Sequence, residues 1–229
     1  MNLTQSFRKL TSSYYRRVSR SFRDLPRIPY RTVVDAGAHK GAFADAFLAV
    51  HKPEKLVLVE PNPHLVEQLR TKYASRAAIE IAPVALSASS GTVDFYLNRQ
   101  SAASSLLPIN PENDRWFGRK LDVVGKVTVP ALTLRDLFEQ YRLASVDLLK
   151  LDLQGMEGAV LDAGESILPR VNAIYTEVLF ESLYKDAWLF FQLWPYLRQR
   201  GFTLCGITNV AHGHNGDLLQ ANAIFRRDK

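Results

Sequence analysis

The sequence predicts an α/β domain built on a mostly parallel sheet with helices on both faces. Three observations point there. From Thr32 onward, short β-type apolar runs alternate with helical stretches, the order in which helices serve as crossovers between parallel strands. The segment VVDAGAHKG, residues 33 to 41, carries an apolar strand through a glycine turn into a helix start, and sheets of this kind place ligands at such turns. The 229 residues are 47% hydrophobic and 23% charged, the composition of a globule with one sizeable core, which excludes disorder and fibrous repeats.

Residues 1–31 read as a basic amphipathic extension. Arg8, Lys9, Arg16, Arg17, Arg20, Arg23, Arg27 and Arg31 stand against Asp24 alone, a net +7 in a chain of net +6, so the remainder carries −1. A near-neutral body with a basic arm meets anions chiefly through the arm. Phe7, Leu10, Tyr14, Val18 and Phe22 recur at spacings of three and four, an amphipathic helix that Pro26 and Pro29 end. Two readings of its apolar stripe stay open: packing on the protein's own body or a second subunit of a homodimer, and peripheral contact of residues 1–28 with a membrane surface or an anionic substrate carrier.

In the body, Thr32 to Asp35 is a strand, Lys40 to Val50 a helix, Leu56 to Glu60 a strand, His64 to Tyr73 a helix and Ile79 to Val84 a strand, with Pro53 breaking the chain between units. Gly91 to Leu97 alternates, with Val93, Phe95 and Leu97 on one face. Together with Lys126 to Val129 it forms a side excursion from the main sheet. Between them Asn98 to Asp122, rich in Ser, Pro, Asn and Asp, is long for a connection and so functional or disordered; Ser104 and Ser105 suit a lid, with Trp116 and Phe117 excluding water or anchoring the loop. Val146 to Leu151 is a strand buried on both faces and Met156 to Ala163 a helix. The strand Ala173 to Val178, the helix Trp188 to Arg200, and the strands Phe202 to Ile207 and Leu218 to Phe225 complete the order. Trp188, Phe191, Trp194 and Tyr196 at helical spacing read as core. No run approaches the ~20 apolar residues of a spanning helix, the N-terminus is too polar for a signal peptide, and the single Cys205 forms neither an internal disulfide nor a cysteine metal site. The expected location is the cytoplasm, or through the arm the inner face of the membrane.

Chemistry concentrates at the first turn. Gly37 lets the chain turn without a Cβ, and backbone N–H groups at the following helix start hold a polar or anionic ligand. Glu60 closes the second strand 23 residues after Gly37, the spacing at which an acid accepts the hydroxyls of a ribose. A dinucleotide site needs GxGxxG, whereas the spacing here is GxxxG with His39 at the second glycine's place, which argues against nicotinamide and for S-adenosylmethionine, with Asp35 toward its cationic end. The bland alternative is a plain strand-to-helix turn with a capping Asp.

Lys150 and Asp152 lie two apart on one face of the fourth strand, Asp152 at the carboxyl end, either as a buried pair fixing the strand or in contact with cofactor and acceptor. Glu177 ends the next strand and Glu157 begins a helix; with Asp152 they offer three carboxylates that suit a hard divalent cation, although the pattern does not require one. His39 sits in the glycine loop and faces an acceptor there. His212 and His214, in AHGHNG, read as a solvated loop, and no metal site is assigned.

The motifs DAGAHKG (35–41), VEPNP (59–63), VALSASSG (84–91), SSL (104–106), LKLDLQGMEGAVL (149–161), YTEVLFESLY (175–184) and LLQANAIF (218–225) together resemble the FkbM methyltransferase family over about Val33 to Phe225. His39, Gln154 and Asn222 depart from its commoner Asn, Glu and Asp. The resemblance implies a Rossmann-like class I methyltransferase fold over residues 32–229, a seven-stranded sheet whose final strand is antiparallel. It also implies S-adenosylmethionine-dependent O-methylation of a sugar, glycan or other natural product. The expected cofactor residues are Asp35, Gly37, Ala38, His39, Gly41, Glu60, Pro61, Asn62, Ala85 and Asp152, and the expected catalytic residues Asp152, Lys150, Glu177 and His39. A nucleic-acid methyltransferase using the basic arm is disfavoured, because DLQG replaces the proline-containing motif of base methylation and Cys205 lies in a strand far from any C5 nucleophile's place. A non-catalytic scaffold has no need of Asp35, Gly37, Gly41, Glu60 and Asp152 together.

Overall fold

The computed structural model describes residues 22–113 and 122–228. The expected helix from Phe7 to Val18, and Trp116 and Phe117 of the expected lid, lie outside the described residues.

The chain opens with β1 (Thr32–Ala36), whose four buried residues after Thr32 suit a strand covered on both faces, and crosses through α1 (Ala42–Leu48) to β2 (Lys55–Val59). Asn62 then caps α2 (Pro63–Tyr73) by accepting from the His64 N–H, with Pro63 at the first helical position where its missing donor costs nothing. After β3 (Ile79–Ala82) the chain leaves the main sheet for β4 (Ala85–Leu86), β5 (Gly91–Asn98) and β6 (Val123–Leu132). It returns through α3 (Leu134–Gln140), capped by the Thr133 hydroxyl on the Asp136 N–H. Then follow β7 (Leu148–Leu151), α4 (Glu157–Ala163), β8 (Ala173–Leu179), α5 (Phe190–Gln199), β9 (Phe202–His212) and β10 (Leu218–Arg227).

The main sheet runs β3-β2-β1-β7-β8-β10-β9, parallel except for β10, which is antiparallel to both neighbours. From β1 the chain builds outward first through β2 and β3 and later through β7 and β8. The strand order therefore reverses beside β1, and a crevice opens at the carboxyl ends of β1 and β7. The side excursion is a separate three-stranded sheet, β4-β6-β5, that stands over this crevice.

Alternation along the central strands divides the core. Val34, Val57, Leu149 and Phe225 face α3, α4 and α5, while Val33, Leu56, Leu148 and Ile224 face α1 and α2. Leu25 and Tyr30 are buried in the second cluster, and the Phe22 ring meets Phe43 and Phe47 edge-on at 5.4 and 5.7 Å, so the end of the basic segment packs on the body. Besides shifts of a few residues at element ends, an unexpected β4 and a longer β6, the observed elements differ from expectation as follows. Helix α3 was unforeseen because a seven-residue helix carries barely two apolar turns. Strand β9 continues past Ile207 to His212 because β10 pairs with it over its whole length, which puts His212 in a strand and leaves His214 in the hairpin turn. On α5, Tyr196 is buried but Phe191 is 68% and Trp194 43% exposed, because a lone helix on a sheet edge has core on one side only.

Gly158 of α4 faces Trp188 so closely that a Cβ would lie 2.3 Å from the indole Cγ. Gly158→Ala is expected to cost ~1 to 3 kcal/mol through overpacking, read as a lower urea midpoint with an unchanged slope.

Candidate active site

A cavity of about 410 Å³ fills the crevice, within the range that holds a nucleoside-sized ligand. Its floor is the turn after β1. Gly37 and Gly41 have φ of 76° and 74°, and a Cβ on Gly37 would fall 1.9 Å from the Asp152 carbonyl oxygen, so only glycine lets the turn pass under β7. The N–H groups of Gly37 and Ala38 both donate to the Val59 carbonyl at 3.0 Å, tying the turn to β2. Gly41 lies behind the cavity, where Tyr73 donates to its carbonyl at 3.0 Å.

Asp35 does not line the cavity. It is fully buried beneath the floor, in register with Lys150 across the β1–β7 pair, so the two side chains share a face. The Lys150 ammonium lies 2.9 Å from the Asp35 carboxylate and donates to the Gly37 and Ala36 carbonyls at 2.8 and 3.2 Å. Burial pushes the Asp35 carboxyl up from its ordinary value, and the Lys150 charge opposes that. Lys150 thus holds the glycine turn by its carbonyls.

Glu60 ends β2 with its side chain in the cavity wall. One carboxylate oxygen accepts from the His39 N–H at 2.8 Å and the other from the Asn62 N–H at 2.9 Å, which orients both oxygens and leaves each with further acceptor capacity. Burial raises its pKa, and the two backbone donors pull the other way. Pro61, Asn62, Ala85, Leu86 and Leu65 continue the wall as a mostly apolar slot. His39 adopts φ 50° and meets the Ser101 hydroxyl at 2.8 Å through Nε2; burial, then the Lys40 charge, lowers its pKa, so it is neutral at neutral pH.

At the far end Asp152, its side chain 35% exposed, stands 3.8 Å from Lys150. Its Oδ1 accepts from the Gln154 amide at 2.6 Å. The same Gln154 nitrogen donates to Glu177 at 3.1 Å, and Gln220 donates to the other Glu177 oxygen at 2.8 Å. Burial first, then the charges of Asp152 and Glu157, raises the Glu177 pKa well above the ordinary range. Glu157 faces away: its two oxygens accept from the N–H groups of Leu153 and Gly155 at 2.6 and 2.9 Å, shaping the turn after β7, and burial lifts its pKa to about 7. Among the described residues no three His, Cys, Asp or Glu side chains gather as a metal site.

Of the anticipated residues, Gly37, Ala38, His39, Glu60, Pro61, Asn62, Ala85, Lys150 and Asp152 line one cavity, while Asp35 and Gly41 support it from behind and Glu177 reaches it through Gln154. Ser104 lines it too, and Ser105 donates to the Gln154 carbonyl at 2.8 Å, so this part of the long loop closes over the site. His212 and His214 are remote from the lining. Gln154, Ser101, Tyr184 and Gln220 were not among the anticipated site residues; KLDLQG, YTEVLFESLY and LLQANAIF contain Gln154, Tyr184 and Gln220 without assigning them a role, and nothing in the sequence marks Ser101.

Sheet order, crevice and glycine turn define a class I methyltransferase. The description of the FkbM methyltransferase domain matches residues 35–204, and the chain belongs to that family of S-adenosylmethionine-dependent methyltransferases. It is 26% identical over 186 residues to the 2-O-methyltransferase NoeI of Sinorhizobium fredii, covering 79% of this chain and 76% of that one. Two solved structures share the fold. The FkbM methyltransferase of Methylobacillus flagellatus has a TM-score of 0.54 at 11% identity, over 96% of this chain and 57% of that one. The N-terminal domain of EvdMO1, solved in the presence of SAH and D-fucose, has a TM-score of 0.53 at 9% identity, over 94% and 83%.

The raised Glu157 pKa has a signed consequence. Its folded value of about 7 lies above the ordinary value of 4.5, so the folded state binds the extra proton and this group's contribution to stability falls as pH rises through that window. Glu157→Gln is expected to flatten the decline of the urea midpoint between pH 4.5 and pH 7.

Proposed function

We propose that the protein transfers a methyl group from S-adenosylmethionine to a hydroxyl of a sugar or glycan, with Asp152 as general base. The observation that carries this reading is the convergence, on one cavity, of an oriented Glu60 and a partly exposed Asp152 whose Oδ1 is held by Gln154 and whose Oδ2 lies 3.8 Å from Lys150. The cofactor fits on the structure's own terms: the Glu60 oxygens retain lone pairs for a ribose diol, and Pro61, Ala85 and Leu86 supply an apolar slot for a base. S-adenosylmethionine supplies the methyl as a sulfonium substituent. The chain's part is to aim an acceptor oxygen in line, at a near-attack distance of ~3 to 3.5 Å, and to take its proton.

Asp152 takes that proton. Lys150 holds the turn beneath and stands 3.8 Å from the carboxylate, while His39 and the Ser101 hydroxyl offer hydrogen-bonding partners to a polyhydroxylated acceptor. The relative named as a 2-O-methyltransferase supports a hydroxyl acceptor, and the fold shared with the N-terminal domain of EvdMO1, solved in the presence of SAH and D-fucose, supports a sugar.

Calorimetry with S-adenosylmethionine and NADH tests the cofactor: the former is expected to bind and NADH not, and Glu60→Ala to weaken binding by ~1 to 3 kcal/mol as the ribose loses a charged acceptor. Methyl transfer from labelled cofactor to D-fucose, other free sugars, lipid-linked saccharides and polyketides tests the acceptor. Asp152→Asn is expected to bind cofactor normally and lose ~100-fold or more in turnover; normal turnover by that variant would reject Asp152 as the base.

A further inference from the structure

Two side chains that line no strand of the cofactor cradle decide how Asp152 stands. The Gln154 amide nitrogen donates to Asp152 at 2.6 Å and to Glu177 at 3.1 Å. An amide nitrogen only donates, so with both contacts made its two hydrogens are committed and the amide oxygen must turn the opposite way. There it accepts from the Tyr184 hydroxyl at 2.6 Å. Tyr184 is buried, and its ring position is fixed by the Ile109–Tyr184 bridge and by Lys185 donating to the Pro108 carbonyl at 3.0 Å. The Gln154 backbone is equally constrained, with φ 54° and its carbonyl accepting from Ser105 at 2.8 Å.

We propose that Gln154 and Tyr184 are positioning residues for Asp152: the Tyr184 hydroxyl sets the orientation of the Gln154 amide, and the amide holds Asp152 Oδ1, which with Lys150 on the Oδ2 side keeps the carboxylate in one orientation. The inference rests on Asp152 being the base. A carboxylate free to rotate would present either oxygen and spend part of its time hydrogen-bonded away from the substrate, a loss of alignment that lowers kcat and leaves cofactor affinity alone. The charged and titratable groups around the network are Asp35 and Lys150 on β1 and β7, His39 in the glycine turn, Glu157 on α4, Glu177 on β8 and Tyr184 itself. Burial, and next the Glu177 charge, raises the Tyr184 pKa well above its ordinary value, so its hydroxyl keeps its proton and stays a donor across the working range of pH. Gln220 completes the arrangement by engaging the Glu177 oxygen that Gln154 leaves.

The test combines structure and rate. Tyr184→Phe removes one oxygen; crystals of this variant with SAH are expected to show the Gln154 amide turned and Asp152 rotated away from its 2.6 Å contact. With the panel sugar of highest turnover, kcat is expected to fall about tenfold at unchanged KM for S-adenosylmethionine. Gln154→Glu keeps the shape but replaces the donors with a third carboxylate, and is expected to move the acid limb of the pH–rate profile to higher pH, a shift that a packing defect would not produce. An Asp152 unmoved in Tyr184→Phe, with wild-type kcat and an unshifted profile in Gln154→Glu, overturns the positioning inference while Asp152→Asn remains inactive. An Asp152 displaced without loss of turnover overturns the base assignment instead, and Asp152→Asn would then be active as well.

Discussion

Lys150 brings a full positive charge into a strand otherwise made of leucine, and Asp35 answers it from the neighbouring strand at 2.9 Å. Both charges are buried. The carboxylate contact is ionic without the alignment of a hydrogen bond, and the ammonium's remaining donors go to the carbonyls of Ala36 and Gly37. Removing one partner of such a pair strands the other at a cost of ~3 to 5 kcal/mol, whereas the intact pair is worth little net stability. Its value is therefore geometric: it locks β1 to β7 where the strand order reverses and fixes the carbonyl of the residue around which the binding turn pivots.

From that lock the site follows by short steps. With the Gly37 carbonyl held, the Gly37 and Ala38 N–H groups reach back to β2, and the His39 and Asn62 amides converge on Glu60 from two different turns. The ligand-facing carboxylate is thus oriented by main chain alone. At the opposite end the turn after β7 is kept in shape by Glu157, whose oxygens take up two backbone donors that a buried turn would otherwise leave unmet. Two glutamates of the same chemical type serve opposite ends, one lining the cavity and one consumed by the fold.

What could be read from the sequence was what depends on local spacing. Gly37, Gly41 and Glu60 declare themselves because a turn without a Cβ and an acid at the end of the next strand are chemical requirements separated by a fixed length of chain. Asp35 was expected to face the cofactor's cationic end; its burial under Lys150 depends on inter-strand register, which no local pattern encodes. Glu157 looked equivalent to Glu177 for the same reason. Tyr184 and Gln220 lie far from Gln154 in the chain and acquire meaning only when β8 and β10 pair. The exposure of Phe191 and Trp194 likewise reflects the width of the sheet that α5 covers and not the spacing along the helix.

The side sheet carries a different kind of consequence. Phe95, Ser101, Ala102, Ser104 and Leu106 come from one short stretch of chain and line the cavity together, whereas the rest of the lining is assembled from the ends of β1, β2 and β7 with Ala85 and Leu86 of β4. The gene segment for that stretch can be lengthened, shortened or exchanged while the strands that hold Glu60 and the Lys150–Asp35 lock keep their sequence. On the proposed function, a chimera that imports this stretch from a relative changes the shape offered to an acceptor without rebuilding the rest of the cavity.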